Sequence, residues 1–377
     1  MGSQLTIGAA TAFALALFIN SGYADIKRTA SGHPDLTGTY NVATLTPLQR
    51  PQRYGDKLTI TPEEAQAIAE YWSSNLAKDA TPSDPDREAP PEGGAEIYVP
   101  EFSGAAGKVG GYNAFYVDIG ESNFKLDGKY RTSIITQPVN GRMPSLSPQG
   151  MKAARAMQAF YHENTGTAWW VDLPQGPYDD PELRPLAERC IMGFGSTSGP
   201  PALPVMYNNF KRVVQTDDHV VIINEMNHDA RVIPLNGQAS SAPGWLGTSV
   251  GRWEGDTLVI ETQNFRGEPG LTLASQKLKV TERISRIDNN TLRYAFTVED
   301  PNWSEPWSGE YPWPATNEKM YEYGSGEYPW PATNEKMYEY ACHEGNYSLG
   351  GILRGARLLE REAVVRSDAN NDPSPAE

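Results

Sequence analysis

Two short stretches of this 377-residue chain set an imidazole beside carboxylates. The first is Asn224-Glu225-Met226-Asn227-His228-Asp229-Ala230-Arg231, which follows a strongly apolar run from Val220 to Ile223. His228 with Glu225 and Asp229 could form a general acid/base pair, because each group tunes the proton affinity of the other. The same letters also suit a hairpin turn, since Asn and Asp are turn formers, and both readings stay open. The second stretch is Cys342-His343-Glu344-Gly345-Asn346-Tyr347. A Cys-His pair could ligate metal or act as a nucleophile dyad, but neighbours on a strand face opposite sides. If Cys342 is held in a disulfide, His343 and Glu344 are left as acid/base candidates beside a rigid point, against the plainer reading of a structural loop.

Three further residues are candidate ligand contacts. Glu282 shares a strand face with Leu278, Val280 and Ile284. A carboxylate there either enters a polar cavity or marks a bulge. Arg189 could anchor a carboxylate or be a surface charge. Tyr207, with Trp169 and Trp170, could line a pocket, although aromatics more often simply fill a core. The chain has no HExxH, CxxC, Walker loop or GxSxG, and no GxGxxG between a strand and a helix. The common metalloprotease, redox, nucleotide and serine-hydrolase readings therefore lack support. No metal ligand set and no cofactor follow, and a metal site would require the two histidine clusters to converge.

The elements that must position these groups are largely strands. YNNFKRVVQ leads through a turn at Thr216-Asp217-Asp218 into HVVIINEMNHDARVIPL. A Glu254-Gly255-Asp256 turn separates Arg252-Trp253 from Leu258-Val259-Ile260, and Asp288-Asn289-Asn290 separates two alternating strands. Consecutive hairpins with tight polar turns make an antiparallel meander. Leu292, Tyr294, Phe296 and Val298 lie on one face of the last strand, and such a one-sided sheet has to curl over its apolar face or cover it. The expected fold is mainly β with a few helices: a curved antiparallel meander or a lipocalin-like barrel, with helices packed outside. The spacing predicts an amphipathic helix over 62–78, capped by Thr61 with Pro62 at its first position. A second helix is predicted from Ser147-Pro148, carrying Met151, Met157, Phe160 and Tyr161, and a third, short one over Pro181 to Cys190. Residues 79–110 read as a long loop. The chain divides into a signal peptide over 1–24, one β-rich domain over 25–366 and a disordered tail over 367–377.

The formal net charge of −15 disfavours a phosphate backbone as partner, so nucleic acid is not expected. Ala9 to Ile19 has the length of a signal-peptide apolar core, and Gly22-Tyr23-Ala24 suits cleavage after Ala24. No other stretch is long enough to span a membrane, and a periplasmic or secreted location is expected. Cys190 and Cys342 are the only cysteines. In an exported chain an even pair implies one disulfide, worth on the order of 4 kcal/mol in the loop-entropy account. The rival is a reactive thiol.

The strings PDLTGTY, GGYNAFY, NGRMPSLSPQG, ERCI, YNNFKRVVQ, EMNHDARVIPL, GRWEGDTLVIET, FTVEDP and YEYACHEGNYSLGGILRGAR, in this order over roughly 34–357, resemble a family of secreted β-rich proteins of environmental bacteria. The resemblance implies export and a shared β-rich fold, and carries no catalytic assignment. Gly38-Thr39-Tyr40 is also similar to the opening strand of lipocalin-like barrels. Members of the resembled family carry one EYPW…YEYACHEG segment, whereas here residues 308–323 recur letter for letter at 325–340. Repeat arrays need about three units to share a core, so a recent duplication or an assembly error is expected. The second copy, which leads into Cys342, is expected to take the native place while the first, or part of it, loops out. The leading functional expectation is a binder of a small, partly apolar molecule. The alternative is a cofactor-free or metal-assisted acid/base enzyme, such as an isomerase, lyase or hydrolase. A structural envelope role stands third. Oligomeric state is not legible.

Overall fold

The computed structural model describes residues 26–79, 86, 118–158, 162, 165–193, 195–197, 199–206, 208–267, 269–317 and 346–371. Among these, thirteen strands form three antiparallel sheets, with three α-helices.

The polar turns of the sequence fold as hairpins. β6 (Phe210–Gln215), β7 (His219–Asn224) and β8 (Ala230–Pro234) run consecutively and, with β1 (Gly38–Asn41) beside β6, form a four-stranded sheet. β9 (Thr248–Glu254), β10 (Thr257–Gln263), β11 (Lys279–Arg286), β12 (Thr291–Glu299) and β13 (Trp307–Pro314) continue the meander. β5 (Ile135–Gln137) completes this six-stranded sheet beyond β13. A small third sheet orders β2 (Thr59–Ile60), β4 (Lys129–Arg131) and β3 (Lys125–Leu126).

The inner faces of the two larger sheets share one core. Val213, Val220, Ile222 and Ile233 on one side meet Leu258, Ile260, Val280, Ile284 and Leu292 on the other. Strict alternation places these residues inward, because successive side chains on a strand point to opposite faces. Tyr294 stacks on Trp313 at 4.6 Å, and Phe296 meets Trp307 edge-on at 5.7 Å.

The curved meander forms, but the closed-barrel alternative does not. Among the described residues no ladder joins the two larger sheets, and single bridges span their edges: Tyr40 with Ala315, and Leu235 with Gly251. Gly251 permits the second approach, since a Cβ there would lie 2.8 Å from the Leu235 side chain.

The first copy of the duplicated segment, not the second, builds β13. Ser308 to Pro314 pairs along β12, with Tyr311 and Trp313 buried. The reason lies one residue upstream. Trp307 is 1% exposed and packs on Phe296 and Trp303, whereas the residue preceding the second copy is Gly324. Exchanging copies would empty an indole-sized site, at a cost of about 3–5 kcal/mol. Pro312 and Pro314 are tolerated because β13 outruns β5. The Glu310 N–H points to the Ile134 carbonyl on the β5 side, so the prolines at alternate positions beyond it turn toward a side that the β5 ladder no longer pairs. The second copy, at 325–340, lies outside the described residues.

Helix α1 (Pro62–Asp79) begins as expected. The Thr61 N–H donates to Glu64 Oε2 at 2.8 Å and the Glu64 N–H returns to Thr61 Oγ1 at 3.2 Å, a reciprocal cap. Helix α2 (Pro148–Gln158) is capped by Ser147, but Met151 and Met157 are exposed, so these two do not serve the core. Phe160 and Tyr161 lie outside the described residues. The short helix expected over Pro181 to Cys190 shrinks to one 3-10 turn, Pro181–Leu183, followed by irregular turns. Helix α3 (Tyr347–Asn371) was not foreseen, and it runs past residue 367, where a disordered tail was expected. It packs Ala356, Leu359 and Ala363 on Trp169, Trp170 and Tyr178. No helix among the described residues is long and apolar enough to cross a membrane.

Candidate functional site

One end of the shared core is polar. Lys211 on β6 stands in register between Tyr40 on β1 and Asn224 on β7, all three buried. Arg231 on β8 faces the same interior, since it shares a strand face with Ile233. From the opposite sheet Glu282 completes the set. It occupies an unbroken ladder opposite Phe296 and is 0% exposed, so it is an interior carboxylate and not a bulge marker.

Arg231 and Glu282 form a two-bond pair, with Nη1 donating to Oε2 at 2.6 Å and Nη2 to Oε1 at 2.7 Å. The Tyr294 hydroxyl donates to Glu282 Oε1 at 2.7 Å and accepts from the Ala202 N–H at 2.8 Å. The Tyr311 hydroxyl donates to the Ala202 carbonyl oxygen. Burial alone would lower the Arg231 pKa, but the Glu282 charge and hydrogen bonds outweigh it and raise it. Burial, then the Glu282 charge, pushes Tyr294 well above the ordinary phenol range.

Lys211 is held differently. Its ammonium donates to the Thr197 carbonyl oxygen, and no carboxylate among the described residues lies within ion-pair distance of it. An ammonium has three donors, and burial lowers this one to a pKa of about 7, against opposing attraction from Glu225 and Asp229. The covering segment also includes Ser196, whose hydroxyl donates to the Pro201 carbonyl, and Leu203, whose N–H bonds the Ser196 carbonyl at 2.8 Å.

The turn joining β7 to β8 holds the first sequence cluster. Asn227 and His228 take positive φ values of 57° and 49°, a conformation that Asn tolerates well. Glu225 is buried, and its Oε2 accepts from the Phe210 N–H at 3.2 Å, next to Lys211. Burial raises its pKa to about 7. Asp229 Oδ2 accepts from the Gly193 N–H at 2.8 Å, and its Oδ1 accepts from the Asn227 side chain at 3.3 Å. The cluster therefore folds as a turn and also borders the polar end.

The other sequence candidates are more dispersed. Arg189 is engaged by Glu182, through its carbonyl at 3.3 Å and its carboxylate at 4.0 Å. Trp170 donates to Glu360 at 2.7 Å and serves the α3 interface, not the polar end. Cys190 is buried. The Asn346 side chain donates to its sulfur at 3.4 Å, and Asn227 to its carbonyl at 3.4 Å. Tyr207, Cys342, His343 and Glu344 lie outside the described residues. No cluster of three or more metal-binding side chains occurs among the described residues. Lys211 and Arg231 escaped the sequence reading, although each alternates with a core aliphatic, Val213 and Ile233, and that spacing was the available signal.

No family model, no curated protein and no solved structure matches the chain.

Proposed function

We propose that the protein binds a small, partly apolar molecule at the polar end of its β core, in a periplasmic or secreted setting. The observation that carries this reading is the incomplete pairing of buried Lys211. Among the described residues its ammonium bonds a single carbonyl, while Arg231, Glu282 and Tyr294 nearby are mutually engaged. A buried cation with unfilled donors is costly unless a polar group completes it. An oxygen-bearing ligand with an apolar body suits an end built from Lys211, Asn224, Tyr40 and Tyr294.

A second reading, acid/base chemistry, is favoured by Glu225. Its carboxyl is tuned to about 7 beside an amine tuned to about 7.

Native mass spectrometry beside a denatured spectrum tests the binding reading. Organic mass retained only in the native spectrum, and lost in Lys211→Met, supports it. A native spectrum without added mass after incubation with a panel of medium-chain alcohols, aldehydes and acids counts against it.

A further inference from the structure

Lys211 is an unusual lysine for its place in the fold. It is 1% exposed, fixed between Tyr40 and Asn224 on the inner face, with its nitrogen aimed at the covering strip of chain at Thr197. The groups that act on it electrostatically are Glu225 and Asp229 from the β7–β8 turn and Arg231 from β8, and none of them is bonded to it. The Arg231 charge is already engaged by Glu282. We propose that Lys211 is a nucleophilic amine that captures a small aldehyde or ketone as an imine. This inference deepens the binding reading above and rests on it, naming the carbonyl compounds as ligand class.

The chemistry is balanced without a co-reactant. The Lys211 nitrogen lone pair adds to the carbonyl carbon, the C=O π pair moves to oxygen, and a proton passes from nitrogen to oxygen to give a carbinolamine. Loss of the hydroxyl with one further proton as water leaves the C=N bond, so amine and carbonyl become imine and water. A lysine shifted to about 7 by burial supplies free amine at neutral pH, where an ordinary lysine is almost wholly protonated. Glu225, fixed by the Phe210 N–H and carrying a proton through a similar pH range, is placed on the neighbouring turn to deliver the proton that leaves with the hydroxyl. The polar end is closed in this structure by Thr197 over Lys211 and by Ala202 over Tyr294 and Tyr311, so capture requires these two residues to part from the three side chains.

The experiment uses the full chain with hexanal and sodium cyanoborohydride at pH 7, read by peptide mapping. The expected result is an N-hexyl group on Lys211, formed at least roughly tenfold faster than on exposed lysines, whose amines are protonated at this pH. Modification of Lys211 should rise with a midpoint near pH 7. Label spread over exposed lysines with Lys211 untouched overturns the proposal, as does a midpoint near that of an ordinary lysine. Lys211→Arg should abolish the selective label, and the wild-type pH profile decides the matter if that variant does not fold. Intrinsic fluorescence titrations with hexanal and with hexan-1-ol separate the two levels of inference. Binding of both without trapping overturns the imine and leaves the binding reading standing, and binding of neither overturns both.

Discussion

Arg231 and Glu282 reach from facing sheets and join through two parallel hydrogen bonds of 2.6 and 2.7 Å, at 2% and 0% side-chain exposure. Because no ladder among the described residues connects these sheets, the pair is an interior tie between them. Removing one partner leaves the other charge buried and unmatched, which is far costlier than removing both. Glu282→Ala should therefore destabilise by about 3–5 kcal/mol in urea unfolding at neutral pH. The double variant Arg231→Met/Glu282→Leu should recover most of that loss. A single variant within about 1 kcal/mol of wild type would show that the tie does not hold the sheets.

Lys211 and Glu225 predict opposite slopes of stability with pH. Lys211 falls from 10.5 in the open chain to about 7 when folded, so between those values the unfolded chain binds more protons and stability rises with pH. Its penalty is full below pH 7 and fades toward 10.5. Glu225 rises from 4.5 to about 7, so the folded chain binds more protons between those values and stability falls as pH rises through them. Stability measured from pH 4 to 10 should lose its upper rise in Lys211→Met and its lower fall in Glu225→Gln. Parallel curves for wild type and both variants would contradict these shifts.

The proposed Cys190–Cys342 disulfide predicts a denatured mass two hydrogens below the sum of the residues without reductant. Cys190→Ser should then cost about 4 kcal/mol in the loop-entropy account. An unreduced mass that retains both hydrogens removes the bond.

The duplicated segment predicts tolerance of its loss. Deleting 308–324 leaves Trp307 followed by the surviving copy, and deleting 324–340 instead yields the same polypeptide. β13 and the Trp307 packing can therefore form in either case. The shortened chain should unfold within about 1 kcal/mol of the parent, because loop length costs little entropy. Trp307→Ala, by contrast, should lose about 3–5 kcal/mol. Failure of the shortened chain to fold would assign the extra copy a structural role.

Local chemistry made much of the fold legible. Thr61 and Glu64 announce α1 through two residues, and Glu254-Gly255-Asp256 and Asp288-Asn289-Asn290 announce hairpins through three. What depends on distant partners was harder. Lys211 reads as a surface charge until β1 and β7 fix which of its strand's faces turns inward. Glu282 was singled out by its apolar neighbours, but its partner lies 51 residues away on another sheet. Helix α3 hid behind Gly350, Gly351 and Gly355, each of which disfavours a helix by about 1 kcal/mol relative to alanine. Two identical strings cannot reveal which one is used, and the unlike residues before them, Trp307 and Gly324, separate their energies.

That asymmetry has a genetic consequence. Selection for a stable core falls on one spelling of the strand, since a changed Tyr311 or Trp313 meets Tyr294 in the packed interior. The same change in the other spelling leaves β13 untouched. Drift is therefore expected to accumulate in 325–340 first. Until it does, any in-frame loss of seventeen codons beginning between 308 and 324 regenerates one and the same single-copy protein. The insertion is reversible at the level of the gene, and its reversal is silent at the level of the sheet.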